Sequence, residues 1–225
     1  MQNSRHLLDS CLILLSGGNL SWTGGSDGQR AEVCHYLDLP IQHASDRILK
    51  RMGRRTSREQ LVEIVRMLRE KIPDIVLRTT LITGFPGEAQ EDHEELMEFV
   101  DTMEFDRLGV FTYSPEENTP AAAMKDQIPE EIKEDRKAEL MELQQEISLE
   151  RGNSRIGQVL LVMVEGKVAD ENAYVGRTYA DAPNVDGYIF VQSPEMLMSG
   201  DFVKVRVTGA LEYDLIGEIY DEYTE

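Results

Sequence analysis

Length, composition and charge bound the class of this protein before any motif is considered. The 225 residues can form one large or two small domains, and a hydrophobic fraction of 41% is enough for a buried core. A net charge of −19 disfavours broad contact with phosphate backbones and favours a basic partner. The two cysteines, Cys11 and Cys34, exclude a disulfide framework and an all-cysteine metal site, and no apolar run predicts a membrane span.

The first 31 residues differ from the rest of the chain. Residues 16–28 are rich in Gly and Ser, which predicts a loop or disorder. A signal peptide is disfavoured, because Arg5 is a single basic residue and no clear small-x-small cleavage site follows the apolar run. We therefore expect a disordered leader over 1–31. The low cysteine content indicates a reducing compartment, so we expect a cytoplasmic protein.

Residues 32–127 alternate between strand and helix patterns. Strands are predicted over 35–41, 75–83 and 108–113, and helices after Ser45, after Thr56 and over 90–103. Thr56 and Glu59 have the spacing of a capping box for the second helix. This alternation predicts an α/β fold with parallel strands buried between helices. Three strands are too few to close a barrel, so we expect part of one.

A charged helix and five short strands complete the chain. The helix is predicted over 129–151, within a linker at 128–156. The strands are predicted over 159–164, 173–177, 187–191, 202–207 and 215–219. Short strands separated by Gly and acidic turns predict a small antiparallel β-barrel of OB-like size over 157–225.

Polar and Gly-rich segments follow the three predicted strands of the α/β region. Gln42 and His43 follow the first strand, residues 83–88 the second, and Tyr113 and Ser114 the third. Ligands bind at the carboxyl ends of parallel strands, so these segments would converge on one mouth. Gly-Phe-Pro-Gly is equally an ordinary turn, and both interpretations stay open from the residues alone.

The histidines predict neither a catalytic group nor a metal site. A lone His such as His43 is more often a hydrogen-bonded structural residue than a catalyst. No Ser or Cys nucleophile motif accompanies it, and His6, His35 and His93 do not lie at metal-ligand spacing from it. We therefore predict no catalytic residue and no metal ligand in this chain.

A basic cluster between residues 46 and 58 locally reverses the acidic balance. Its members are Arg47, Lys50, Arg51, Arg54, Arg55 and Arg58. We expect most of them on a solvated helix face that pairs with the acidic segment 88–106. Arg54 and Arg55 are the candidates for bidentate pairing with a ligand carboxylate. Arg78 lies inside a predicted strand, where a charge needs a partner or a ligand.

The predicted barrel is acidic, with four basic and thirteen acidic residues over 157–225. OB-like barrels bind nucleic acid through basic grooves with aromatic platforms, and this one has aromatic residues without the basic groove. Nucleic acid is therefore disfavoured as a partner. A basic protein fits the charge better.

Several motifs in order resemble those of the radical-SAM methylthiotransferases, in particular the RimO branch. They are HYLDLPIQHASDRILKRMGRR, LRTTLITGFPGE and FTYSPEENTPAA, followed by NVDGYIFV and GDFVKVRVTGALEYDLIGEI, which resemble the C-terminal TRAM barrel of that family. The resemblance runs from about Glu32 to Glu225. It implies that 32–127 is the C-terminal part of a radical-SAM, TIM-like parallel barrel and that 157–225 is a TRAM barrel.

The resemblance also implies a cofactor, a substrate and site residues. Family members use S-adenosylmethionine and four-iron–four-sulfur clusters to methylthiolate an aspartate of small-subunit ribosomal protein S twelve, a basic protein that the acidic barrel would bind. The S-adenosylmethionine site would include Gln42, Ser45, Arg54, Arg55, Arg78, Thr83, Gly84, Phe85, Gly87 and Glu88. Gly84 would let the backbone approach the adenine closely.

The chain departs from the family in its cysteines. The family holds one cluster with a CxxxCxxC motif, which is absent from this sequence, and a second with further cysteines in an N-terminal domain. We therefore predict that the chain alone does not cleave S-adenosylmethionine reductively. Two alternatives are a fragment of a MiaB-like tRNA methylthiotransferase, which usually has a Gln-Ser-Gly-Ser stretch where this chain has residues 42–45, and a non-catalytic remnant that binds a basic protein.

Overall fold

The structure is a computed structural model that describes residues 35–169 and 171–220. The predicted leader at 1–31 and both cysteines lie outside the described residues. The chain divides into two compact units between Gln144 and Gln145.

The first unit contains a three-stranded sheet in the order β1-β2-β3. The strands are β1 (Tyr36–Gln42), β2 (Val76–Thr83) and β3 (Arg107–Thr112). Both pairs are parallel, with Leu39 opposite Thr79 and Leu81 opposite Val110. The parallel sheet predicted from strand–helix alternation is confirmed, and the carboxyl ends of all three strands lie at one edge.

Four helices accompany this sheet. They are α1 (Asp46–Arg51), α2 (Arg58–Lys71), α3 (Gln90–Met103) and α4 (Glu130–Asn153). The capping box predicted at Thr56 and Glu59 is wrong by one residue: the Ser57 hydroxyl accepts from the Gln60 N–H at 3.3 Å, and Gln60 Oε1 accepts from the Ser57 N–H at 3.0 Å. α4 crosses the boundary between the two units.

The two faces of the sheet differ in burial. Leu77, Thr79 and Leu81 alternate along β2 and are fully buried, whereas Arg78, Thr80 and Ile82 on the opposite face are only half-buried. On that second face β3 presents Phe111, which is 58% exposed. Side chains alternate between the two faces of a strand, so the sheet has one well-covered face and one face that is more open.

The second unit contains a closed five-stranded barrel. Its strands are β4 (Val159–Lys167), β5 (Ala173–Arg177), β6 (Ile189–Gln192), β7 (Phe202–Ala210) and β8 (Leu215–Ile219), in the order β4-β5-β6-β8-β7. The predicted five-stranded barrel is confirmed. Four of its pairs are antiparallel, while β6 and β8 run parallel to each other.

The barrel core is built mainly from β-branched side chains that alternate along the strands. It comprises Val162, Val164, Tyr174, Ile189, Val191, Val205, Val207 and Leu215. Such residues pack well on a pleated surface. At Gly176 a Cβ would lie 2.8 Å from the carbonyl oxygen of Met163, so close approach of two strands requires glycine there.

No helix of the described segments is long and apolar enough to cross a membrane.

Candidate functional site at the strand ends

The turn after β2 is organised around the carboxylate of Glu88, whose side chain is 0% exposed. Its Oε2 accepts from the N–H groups of Gly84 at 2.7 Å and Phe85 at 3.1 Å. Its Oε1 accepts from Arg136 Nη1 at 2.9 Å. Charge-assisted bonds of this kind are about twice as strong as neutral ones. Glu88 therefore fixes the backbone of the turn that the sequence singled out.

Glycine is required at position 84 for two separate reasons. Its φ of +72° is strained for any residue with a side chain. A Cβ at this position would also overlap the aliphatic carbons of Lys133, which lie against the Gly84 backbone. In this structure the close approach that Gly84 permits is thus made by a side chain of α4.

The segment after β1 contains His43, whose side chain is fully buried. His43 Nδ1 accepts from the Ser45 N–H at 2.9 Å, so the proton of a neutral ring lies on Nε2. Nε2 faces Glu88 Oε2 at 3.7 Å. His43 therefore lies between the ends of β1 and β2, and its buried Nε2 has no hydrogen-bond partner among the described residues.

Ser45 is held by Asp92, in the first turn of α3. The Ser45 hydroxyl donates to Asp92 Oδ1 at 2.7 Å, the Ala89 N–H donates to Oδ2 at 2.7 Å, and the guanidinium of Arg47 pairs with both oxygens. Burial raises the pKa of Asp92, but the hydrogen bonds from Arg47, Ser45 and Ala89 outweigh it and hold the pKa below its usual value. The same pair raises the pKa of Arg47.

Gly87 is fixed by a second arginine of α1. Arg51 Nε donates to the carbonyl oxygen of Pro86 at 3.0 Å, and its Nη2 pairs with Asp126 at 2.7 Å. The Gly87 N–H donates to the carbonyl oxygen of Asp126 at 2.7 Å, and Arg47 Nη2 donates to the Gly87 carbonyl at 2.8 Å. Of the basic cluster, Arg47 pairs with the acidic segment 88–106 and Arg51 pairs with Asp126 outside it, and both anchor the turn.

The remaining strand-end residues leave polar atoms inside the protein. Thr83 Oγ1 and Tyr113 Oη are buried and have no hydrogen-bond partner within the described part of the chain. The Tyr113 ring packs edge-on against Phe85 with centroids 5.2 Å apart. Gln42 has a φ of +72° and is half-buried. Unsatisfied polar atoms at strand ends are positions where a bound polar ligand or water would gain hydrogen bonds.

The three candidate arginines lie in different places. Arg78 pairs with Asp38 across β1 and β2 at 2.6 Å and lies about 16 Å along the strand from Thr83. Arg54 follows α1 and is half-buried, and burial lowers its pKa, whereas Arg55 is exposed. The structure therefore brings together Ser45, Thr83, Gly84, Phe85, Gly87 and Glu88, with Arg78 near the other end of the sheet.

The sequence analysis did not single out four residues of this network, namely Asp92, Asp126, Lys133 and Arg136. It named Arg47 and Arg51 only as members of the basic cluster. Only Asp92 had a local signal, an acid three residues after the helix N-cap, which is capping-box spacing. The described residues contain no group of three or more His, Cys, Asp or Glu side chains that could hold a metal ion.

Comparisons with known proteins identify two domains. Residues 29–100 match the Radical SAM superfamily, and residues 156–219 match the TRAM domain. The first segment includes β1 and β2 but ends before β3, and the second covers the closed barrel.

Curated relatives cover most of the chain. The protein named "Ribosomal protein uS12 methylthiotransferase RimO" of Lachnoclostridium phytofermentans is 64% identical over 186 residues, which is 83% of this chain and 42% of that protein. Proteins of the same name are 50% identical in Clostridium botulinum (strain Langeland), over 86% of this chain and 43% of the relative, and 52% identical in Acetivibrio thermocellus, over 85% and 42%. The chain thus spans about two fifths of the length of these relatives.

Proposed function

The chain belongs to the radical-SAM methylthiotransferases over the part that aligns with them, and on this premise we propose that it serves the methylthiolation of an aspartate of ribosomal protein uS12. The observation that carries the proposal is an identity of 50–64% to relatives of that name, across a chain that contains both a parallel sheet and a TRAM barrel. In this proposal the chain supplies part of the cofactor site and the barrel that holds the substrate protein.

The strand ends fit S-adenosylmethionine in their chemistry. Thr83 and Tyr113 contribute buried polar atoms that lack partners in the described chain, and Arg54 contributes a half-buried guanidinium for the methionine carboxylate. Ser45 and the 83–88 turn would form the wall that holds the cofactor in place. When bound, S-adenosylmethionine supplies the methyl group and the radical chemistry.

Binding can be measured without turnover. Isothermal titration of the full chain with S-adenosylhomocysteine should show a single site. Arg54→Met should weaken that site roughly tenfold, as expected for loss of a charge-assisted contact, while Arg66→Met, which removes an exposed arginine of α2, should leave it unchanged. An affinity for S-adenosylhomocysteine that is the same in wild type and Arg54→Met would remove Arg54 from the site.

The residues of this chain do not fit a four-iron–four-sulfur cluster. Such clusters are held by Cys thiolates, and the 225 residues contain two cysteines without the CxxxCxxC spacing. We therefore expect no 5′-deoxyadenosine from this chain alone after anaerobic treatment with iron, sulfide and dithionite. Cluster absorbance together with 5′-deoxyadenosine formation would overturn that expectation.

The acidic barrel is the proposed contact for the substrate protein. Its excess of acidic residues suits a basic ribosomal protein better than an RNA backbone. Pull-down with the full chain should retain uS12 in preference to tRNA, with binding that weakens as salt is raised. Preferential retention of tRNA would instead support a MiaB-like function.

The cysteine content favours a second candidate function, a non-catalytic protein that retains the binding surfaces. This candidate shares the uS12 interaction with the first one. The two differ when a cluster-bearing methylthiotransferase segment is added: restored methylthiolation of uS12, followed by mass spectrometry, supports the enzyme, and unchanged uS12 supports the binding protein.

A further inference from the structure

Helix α4 directs two cations into the protein at the strand ends. Lys133 is 4% exposed and Arg136 is 7% exposed, although α4 is rich in charged residues and most of its charges face outward. Residues three apart lie on one helix face, so the two cations point the same way. Both lie between the Radical SAM match at 29–100 and the TRAM match at 156–219.

Arg136 compensates the buried charge of Glu88. Its Nη1 donates to Glu88 Oε1 at 2.9 Å and to the Glu88 carbonyl oxygen at 3.2 Å. A carboxylate that is fully buried needs such a partner, because an isolated charge in the interior is strongly disfavoured. With Oε1 bound to Arg136, Oε2 is left to accept from the N–H groups of Gly84 and Phe85.

Lys133 joins the ends of two strands. Its aliphatic carbons fill the space beside the Gly84 backbone, after β2, while its Nζ donates to the carbonyl oxygen of Tyr113, after β3, at 2.8 Å. The same amine pairs with Glu130 Oε2 at 3.0 Å and lies 5.7 Å from the centroid of the Tyr113 ring. The loops after β2 and β3 are therefore held to one helix by one side chain.

Packing alone does not account for charged residues at these positions. The inner face of α4 continues with Leu140, which is fully buried, so apolar residues can dock this helix. Replacing buried charged pairs with apolar side chains of similar volume is often neutral or stabilising. Lys133 and Arg136 instead face polar groups of the loops, namely the Glu88 carboxylate and the Tyr113 carbonyl oxygen. They therefore specify the loop conformation more than the docking of the helix.

We propose that Lys133 and Arg136 of α4 are positioning residues for the cofactor site. Arg136 fixes the backbone of the 84–88 turn through Glu88, and Lys133 packs against Gly84 and ties this turn to the Tyr113 carbonyl. The proposal rests on the proposed function in one respect, namely that the turn contacts S-adenosylmethionine. Neither side chain is assigned contact with the reacting atoms.

The test compares four forms of the full chain: wild type, Arg136→Met, the double variant Glu88→Gln/Arg136→Met, and Lys137→Met. Lys137 neighbours Arg136 on α4 and is partly exposed, so its substitution is a matched control for loss of one positive charge. The first measurement is amide hydrogen exchange at Gly84 and Phe85, which reports the Glu88 bonds without any ligand. The second is the affinity for S-adenosylhomocysteine by titration calorimetry.

In Arg136→Met we expect amide exchange at Gly84 and Phe85 to accelerate roughly tenfold or more, because the uncompensated Glu88 carboxylate no longer stays clamped between the two amides. S-adenosylhomocysteine should bind roughly tenfold more weakly, since a loop that is not preorganised must be ordered on binding. The double variant should recover most of both losses, because a Gln carbonyl still accepts an N–H and no buried charge remains. Lys137→Met should match wild type.

The outcomes separate this proposal from the proposed function. Wild-type exchange at Gly84 and Phe85 in Arg136→Met, or no recovery in the double variant, would overturn the positioning role. If exchange behaves as expected but wild type binds no S-adenosylhomocysteine, the positioning role stands and the cofactor site is refuted. If Arg136→Met does not fold, the double variant decides: a folded protein with protected Gly84 supports the role, and an unfolded or unprotected one contradicts it.

Discussion

The barrel and the strand ends of the sheet bury different kinds of groups. Among the described residues, the barrel core is formed by Val, Ile, Leu and one Tyr, and its stability rests on apolar area and close packing. The strand ends instead bury Glu88, Asp92, Lys133 and Arg136, each paired with a partner of opposite charge or a backbone group.

This difference indicates which substitutions each region tolerates. An apolar core tolerates exchange of one hydrophobic side chain for another of similar volume. A buried polar network does not, because removing one partner leaves another group unsatisfied in the interior. The polar network therefore holds the strand-end loops in one geometry, at a cost in desolvation, as the proposed binding site requires. The barrel is stabilised by its apolar core.

The most severe break in the polar network should come from Glu88→Ala. It leaves Arg136 without its carboxylate and two N–H groups without an acceptor, so we expect a loss of about 3–5 kcal/mol in the free energy of unfolding of the sheet unit. Urea denaturation followed by hydrogen exchange of β2 measures this. Glu95→Ala, on the exposed face of α3, is the control and should change stability by less than about 0.5 kcal/mol. Equal effects of the two substitutions would contradict the network.

A steric clash in the barrel should lower the free energy of unfolding somewhat less than Glu88→Ala does. In Gly176→Ala the new Cβ meets Val162 Cγ1 at 2.6 Å and the Met163 carbonyl oxygen at 2.8 Å. We expect a loss of about 1–3 kcal/mol from overpacking, confined to the barrel. Gly166→Ala is the matched control, because a Cβ added there would have no neighbouring atom within 4 Å. Thermal unfolding should lower the midpoint for Gly176→Ala alone, and a shift of similar size in both variants would rule out the close approach as the cause.

Acid should destabilise the sheet unit by protonating Asp92. Its pKa in the folded protein lies below the ordinary value of 3.8, so the ionised carboxylate stabilises the fold above that pH and the stabilisation is lost as pH falls through the folded pKa. Asp92→Asn should cost about 1–3 kcal/mol at neutral pH, since it removes the pairing with Arg47. It should also flatten the decline in stability as the pH falls from the ordinary value of 3.8 through the lower folded pKa. Stability curves of wild type and variant that stay parallel over this range would exclude Asp92 as the source.

The smallest effect should come from an ion pair on the barrel surface. Arg177 Nε pairs with Glu165 Oε1 at 2.6 Å, and both side chains are partly exposed. Arg177→Gln should cost only about 0.2–1 kcal/mol, with a difference that shrinks as salt is raised. A loss in the free energy of unfolding equal to that of Glu88→Ala would contradict the difference between the buried polar network and the barrel surface.

Much of the fold could be predicted from the sequence because its signals are local. The period of apolar residues separates β2 from α3, and five short strands with Gly-rich turns predict a barrel without any knowledge of the partners of each strand. The capping box shows the limit of such signals. Thr56 with Glu59 and Ser57 with Gln60 both have suitable spacing, and the extended backbone of Ser57 decides in favour of the second pair.

The residues of the candidate site that lie at strand ends could be predicted, because the ends of the strands could be. Gly84 and Glu88 stand out because a turn rich in Gly ends a β-branched strand, and the carboxyl ends of parallel strands meet. Arg78 stands out for a charge in a strand, but its cross-strand partner Asp38 is set by sheet register, which a single sequence does not specify. Its distance from the strand ends follows instead from its position along β2, five residues before Thr83.

The sequence by itself determined the order of elements, the acidic balance and the shortage of cluster cysteines, since these depend on residue types and short spacings. Only the tertiary structure decided that Lys133 and Arg136, two charges in a helix full of charges, are the buried ones. Their burial depends on Glu88 and Tyr113, which approach α4 from distant parts of the chain. A charged residue is stable in the interior only where such partners meet it, and that meeting is a property of the fold.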